Sequence, residues 1–307
     1  MASDLPGGLK VTTYDGPPRG FDPLTAESAD LQKFGLPPRQ EDPELQAKYD
    51  RFLNRTKGKF HYIPATLRTN SEIFHGPRQR VEAAGTETST NWSGAVVFAP
   101  AGTPFRWVLG EWVIPDVDAP TENQWYYAAS WVGIDGDGSG DVCQAGIGSQ
   151  VYRSGSSLIR YFYPWFEWYP FPETAITTLP VGPGDMVTAL LCAPPGAGAT
   201  QATVYFSNVT TGASTSVTFS APSGTKLVGN CAEWIVEAPT VGGQQSVMAD
   251  FGQVFFSACE ADLTNGTLVY GGTGDNINEV NSAGTVIVDG NLITPQVVQC
   301  LYVGPRP

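Results

Sequence analysis

Four short stretches set carboxylates or a carboxamide among aromatic rings. They are Trp131-Val132-Gly133-Ile134-Asp135-Gly136, Cys143-Gln144-Ala145-Gly146, Trp165-Phe166-Glu167-Trp168-Tyr169-Pro170 and Ala232-Glu233-Trp234-Ile235-Val236-Glu237. Each reads as a strand, and side chains alternate faces along a strand. Val132 and Ile134 therefore share one face, and Trp131 and Asp135 the other. Phe166 and Trp168 oppose Trp165, Glu167 and Tyr169. Trp234 and Val236 oppose Glu233, Ile235 and Glu237. One face of each stretch is an ordinary core face, so Trp168 and Trp234 read as core. The other mixes rings with acids, which suits a cleft that grips an extended ligand and acts on it.

Composition narrows the chemistry. The chain has 307 residues and a formal net charge of −13. Residues 1–85 hold 12 Lys+Arg against 11 Asp+Glu, while residues 86–307 hold 5 against 19, a local balance of −14. A body so poor in cations tolerates acid, because neutralising its carboxylates leaves little positive charge to repel. Nucleic-acid binding needs a basic face and is not expected. Both histidines, His61 and His75, precede residue 86. The body therefore has no Ser-His-Asp or Cys-His nucleophile system and no His-based zinc site. Its cysteines, Cys143, Cys192, Cys231, Cys259 and Cys300, lack Cys-x-x-Cys spacing. Hydrolysis there must use carboxylates, carboxamides, hydroxyls or backbone, with no metal or cofactor. Five cysteines cannot all pair; a Cys143–Cys231 bridge and small buried free thiols both remain open.

In order, Asn91-Trp92-Ser93-Gly94-Ala95, Trp131 to Gly136, Gln144-Ala145-Gly146, Trp165 to Pro170 and Ala232 to Glu237 resemble the glutamic peptidases, the eqolisin family of acid proteases. The resemblance runs from about residue 90 to the C-terminus. It implies a catalytic dyad of Gln144 and Glu237, with Ala145 where the family usually has Thr. It also implies a cleft lined by Trp92, Trp131, Asp135, Glu167 and Tyr169, to which strand parity adds Trp165. The family's Asp after the second Glu is Ala238 here. In such a dyad an ionised Glu237 takes a proton from water and returns it to the leaving amine, and Gln144 stabilises the oxyanion. The partners implied are protein or peptide substrates met by a monomer.

The elements that must position these residues follow from the pattern. Asp42-Pro43-Glu44 reads as a helix start, and Leu45, Tyr49, Phe52 and Leu53 continue it over 43–54. A shorter helix is expected over 26–34. From about residue 90 the pattern is β, with strands over 106–114, 127–135, 160–169, 186–193, 247–257 and 296–303. Thr203–Phe206 and Ser214–Phe219 flank a hairpin turn at Thr210-Thr211-Gly212. Many short strands without helices predict an all-β antiparallel sandwich of two large sheets; the resemblance adds a concanavalin-like form.

Residues 1–85 read as a partly helical segment before a peptidase domain at 86–307. Within it Arg51, Arg55, Lys57, Lys59, Arg68, Arg78 and Arg80 face a single acid, Glu72, over 51–80. The plain reading of that stretch is a solvated basic run; the charge contrast, with the pro-segments that the family resemblance implies, favours a tether or inhibitory segment for the acidic body. No apolar run is long enough to span a membrane. The N-terminus has no signal pattern. The family's habit implies secretion after signal removal, with retention in the cell as the other reading. A glycosidase using Glu167 and Glu237, or a carbohydrate- or peptide-binding module, is the rival to a peptidase.

Overall fold

The computed structural model describes residues 1–40, 61–83 and 86–307, together with 43, 46, 47, 49 and 50. The strands that build the site are β1 (Leu67–Thr69), β2 (Ile73–Phe74), β3 (Trp92–Phe98), β4 (Trp125–Asp135), β5 (Val142–Ser154), β6 (Ser157–Trp168), β7 (Thr174–Ile176), β8 (Cys231–Glu237), β9 (Thr240–Val241) and β10 (Asp275–Val280). One antiparallel sheet runs β10-β3-β8-β4-β5-β6-β7-β1. The facing sheet is built from Phe105–Val113, Met186–Cys192, Gln201–Asn208, Ala213–Ser220, Gln253–Leu263, Val286–Thr294 and Val297–Tyr302. β10 pairs with strands of both sheets and joins them at one edge.

Alternation drives the packing. Val132, Ile134, Phe166, Trp168, Trp234 and Val236 enter one apolar core with Trp112, Leu191, Val204, Phe206 and Phe219 of the facing sheet. Phe166 and Phe219 meet with ring centroids 4.7 Å apart. The Trp234 indole N–H donates to the Leu109 carbonyl at 2.7 Å, satisfying a polar atom that burial would otherwise penalise. The expected sandwich is what forms, and Trp168 and Trp234 are core.

Three details differ from the expectation. Residues 247–252 make only isolated bridges, Met248 with Tyr127 and Asp250 with Asp118, and the strand begins at Gln253, after Gly252 turns the chain with φ 65°. All five cysteines are free thiols, so the Cys143–Cys231 bridge is absent. The helix over 26–34 forms as Ser28–Lys33, whereas the helix expected over 43–54 lies for the most part outside the described residues. Among its described residues the N-terminal segment otherwise contributes short strands. Lys10–Thr13 pairs with Ala213–Ser220, β1 extends the site sheet through β7, and β2 pairs with β9.

Candidate active site

The outer face of the site sheet carries alternate residues of β3, β8, β4, β5 and β6. Across the ladder, Glu237 stands opposite Trp92 and Ala129. In the next row Ile235, Trp131, Gly146 and Trp165 align, and in the third Glu233, Gly133, Gln144 and Glu167. Gln144 on β5 and Glu237 on β8 thus flank β4, with Trp131 between them. Glycine makes room for that indole. A Cβ on Gly146 would lie 2.4 Å from Trp131 Cβ, and one on Gly133 would lie 2.7 Å from Glu233 Oε1.

The rings form a second apolar cluster, separate from the core, containing Trp92, Trp131, Trp165 and Ile235, with Tyr163 and Tyr169 against it. Trp92 meets Trp131 edge to face at 4.9 Å. The Trp131 indole N–H donates to Glu237 Oε2 at 3.1 Å, and the Asn91 amide donates to Glu237 Oε1 at 3.2 Å. Burial pushes the Glu237 carboxyl up, while bonds from His75, Asn91 and Trp131 pull it back. Burial holds the Glu167 carboxyl well above the usual range despite its contact with His75.

His75 occupies the centre. It comes from the N-terminal segment, just after β2, and is 1% exposed. Its carbonyl accepts from Gln144 Nε2 at 2.5 Å. Its backbone N–H donates to both Glu167 oxygens at 3.1 Å. Its Nδ1 lies 3.0 Å from Glu237 Oε2 and its Nε2 lies 3.0 Å from Glu173 Oε2. The imidazole stacks on Trp165. Burial alone would lower its pKa, but the bonds to Glu173 and Glu237 outweigh it and push it up to about 10. The body has no histidine, yet the segment brings one to its acids. The next residue, Gly76, lies beside the Tyr169 ring; a Cβ there would meet it at 3.6 Å.

Seven of the eight residues singled out by sequence gather here: Gln144, Glu237, Trp92, Trp131, Trp165, Glu167 and Tyr169. Asp135 does not join them in the bonds it makes. It ends β4 at φ 74°, and its carboxylate accepts the N–H of Val228 at 2.7 Å and of Asn230 at 2.9 Å. Burial nonetheless raises it to about 6. Its role is to hold the turn that leads into β8. Glu233 is fully buried, and neither of its oxygens takes part in the His75 contacts. Three further participants, His75, Glu173 and the Asn91 side chain, were not singled out from sequence. The available signal was Phe74-His75-Gly76-Pro77, a histidine beside a bulky pair and a turn in an otherwise basic stretch.

A family model described as the peptidase A4 family matches residues 90–302. Aspergillopepsin-2 of Aspergillus niger is 30% identical over 221 residues, which is 66% of this chain and 74% of that protein. The structure of scytalido-glutamic peptidase with a peptide-based transition-state analogue superposes with a TM-score of 0.57 at 25% identity, over 70% of this chain and 98% of the other. Aspergilloglutamic peptidase from Aspergillus niger gives 0.52 at 29% identity, over 58% and 99%. The chain belongs to the peptidase A4 family. It is a glutamic-type endopeptidase, a hydrolase whose substrates are proteins or peptides. The glycosidase and binding-module readings give way to that assignment.

Proposed function

We propose that Gln144 and Glu237 form the catalytic dyad of an acid-active endopeptidase. The observation that carries this reading is a peptide unit already seated between them: the His75 carbonyl takes a bond from Gln144, and the His75 side chain meets Glu237. A substrate carbonyl in that position has the carboxamide N–H₂ aimed at the oxygen where negative charge develops. Gln144 Oε1 has no hydrogen-bond partner among the described residues and is available to orient a water. Glu237, ionised and bonded by Trp131 and Asn91, takes that water's proton and later returns it to the leaving amine. Glu167 binds the substrate N–H on the same side as the carbonyl and positions the scissile unit.

The N-terminal segment, residues 1–85, is proposed as a pro-segment that holds the enzyme latent. Two features support this: its passage through the cleft, and the ion pairs of Arg78 and Arg80 with Asp137, each with contacts of 2.8 Å. Secretion and work in acidic surroundings fit the composition of the body. Among the described residues, no helix is long and apolar enough to cross a membrane. The test is a zymogram at acid pH with protein and polysaccharide substrates side by side, run with wild type and Glu237→Gln. Clearing of protein alone, lost in the variant, is the expected result. Clearing that survives Glu237→Gln removes Glu237 from the mechanism.

A further inference from the structure

The outer face of β4, β5 and β6 continues past the acids. Beyond the row of Ala129, Gly148 and Tyr163 comes a row of Tyr127, Gln150 and Tyr161, and then one of Trp125, Tyr152 and Ile159. Alternation puts both rows on the face that carries Gln144 and Trp131. Neither row holds a charged side chain. Trp125 is 37% exposed, Ile159 45% and Tyr161 54%. The Trp125 ring lies 5.3 Å from Tyr152 and 5.9 Å from Tyr161, within 26° of parallel to the latter. The loop 121–124 and the hairpin tip 154–157 beside them are polar and exposed. Cross-strand ring pairing stabilises a sheet and would account for Trp125 with Tyr152 alone. It gives no reason to leave Ile159 and a third ring open next to them. Contiguous apolar side chains with a polar rim mark a binding surface, whereas single ones need no explanation.

The seated segment gives the direction of a bound chain. Phe74 pairs with Thr240, which lies beyond the Glu237 end of β8. The Arg78 N–H donates to the Gly136 carbonyl at 2.9 Å, just past the end of β4. The chain through His75 therefore runs parallel to β4, and residues before the peptide bond held by Gln144 point toward Trp125. The segment itself leaves that line. The Ile73 N–H bonds the Asn70 carbonyl at 3.0 Å and turns the chain aside, so that β1 pairs with β7. A small cleft lined by His75, Tyr127, Gln150, Tyr163, Glu173 and Pro239 joins the site to the first of the two rows.

We propose that Trp125, Tyr152, Ile159 and Tyr161 form an exosite for an unfolded polypeptide, gripping apolar side chains about six to eight residues before the bond that is cut. The inference rests on the reading that Gln144 holds the scissile carbonyl, because that fixes the count. The two rows lie roughly 20 and 26 Å from the Gln144 row at the rise of a strand, and an extended substrate advances by about the same rise. An unfolded chain is the occupant that fits, because the rows prolong a cleft in which backbone already lies extended. A folded protein hides its apolar side chains and an unfolded one offers them. An uncharged face also keeps its hold at acid pH, where a carboxylate exosite would be neutralised.

The experiment uses the full chain after incubation at acid pH, with three synthetic peptides that share one cleaved sequence. The short peptide begins four residues before the cut bond. The long one begins ten residues before it and carries Leu at the sixth and eighth positions. The third is equally long, with Ser at those two positions. Partial burial of two leucines on the rings predicts a KM for the long Leu peptide roughly 10-fold below the other two, with kcat alike. Trp125→Ser/Tyr161→Ser should bring that ratio to about one, and high salt should leave it intact. Equal KM values in wild type, a ratio that survives the double variant, or a ratio lost in salt overturns the proposal. If the double variant does not fold, Tyr161→Ser alone is read in the same way. Retention on an insoluble polysaccharide, or a dimer in sedimentation, that the double variant loses while the peptide ratio stays would assign the face to a glycan or a second copy instead, and would also overturn it. Calorimetry of the three peptides on full-chain Glu237→Gln separates this reading from the dyad. Cleavage that persists in that variant refutes the dyad, whereas equal affinities for the three peptides refute the exosite.

Discussion

The His75 imidazole lies flat on the Trp165 indole, with ring centroids 3.8 Å apart and planes within 8°. The two residues are 90 positions apart and meet because β2 and β1 dock the N-terminal segment on strands β9 and β7 of the body. A cationic ring on an indole contributes about 0.5–2 kcal/mol, more as the pair is desolvated. Trp165→Leu is therefore expected to weaken docking of the segment and leave the dyad in place. Uncleaved chain would then show activity at a higher pH than wild type, read as a shift of the pH–rate profile.

Substitution of the dyad has a defined signature. Glu237→Gln preserves size and removes the base, so proteolysis after acid activation should fall close to background. Gln144→Ala loses the oxyanion donor and should cost on the order of 100- to 1000-fold in rate. Glu167→Gln should be milder and act on KM more than kcat, since Glu167 bonds the peptide N–H rather than the reacting carbonyl. Circular dichroism controls for folding. Equal defects in all three would mean that Glu167 takes part in the chemistry.

Acid should also remove the segment. Carboxylates in general take up protons near pH ~4, which lowers the −14 balance of residues 86–307 that attracts the basic stretch of the segment. Incubation of the full chain at that pH is expected to give a new N-terminus between Arg78 and Thr90, read by mass spectrometry. A chain that stays full length while fully active would make the segment a permanent part of the enzyme.

Thiol reagents and chelators should leave activity intact. Cys143 and Cys231 are fully buried, and burial holds both thiols well above their ordinary range, which suppresses the reactive thiolate. Inhibition by a chelator, reversed by a divalent metal, would overturn the two-residue mechanism.

Stability should fall toward neutral pH. Glu279 is buried, its Oε2 has no partner among the described residues, and burial holds its carboxyl well above the usual range. A carboxyl raised in the folded state stabilises the fold below its unfolded pKa, and that contribution is lost as pH rises through the folded value. Glu279→Gln should raise Tm at pH ~7 by a few degrees and change it little at pH ~4. An equal shift at both pH values would point to packing instead of charge.

Much of this site was legible from strand parity. Trp165 and Glu167 face outward and Phe166 and Trp168 inward, as period-two alternation requires. Asp135 escaped the rule because its φ of 74° breaks the alternation at the end of β4. The pairing of Gln144 with Glu237 was reached through family resemblance, since 93 residues separate them and only the sheet register brings them to either side of β4. His75 and Glu173 were illegible for a related reason. Their bonds cross 98 positions, and neither lies in a strand whose periodicity would declare a face.

The placement of Gln144 and Glu237 on strands that flank β4 has a use in engineering. Their separation is fixed by ladder hydrogen bonds, and a one-residue slip would turn either side chain to the opposite face. The rim around His75 lies elsewhere: residues 170–173 leading to Glu173, and the hairpin that begins at β9. Libraries confined to those two rim segments should retarget the protease to new sequences while the reacting groups keep their spacing.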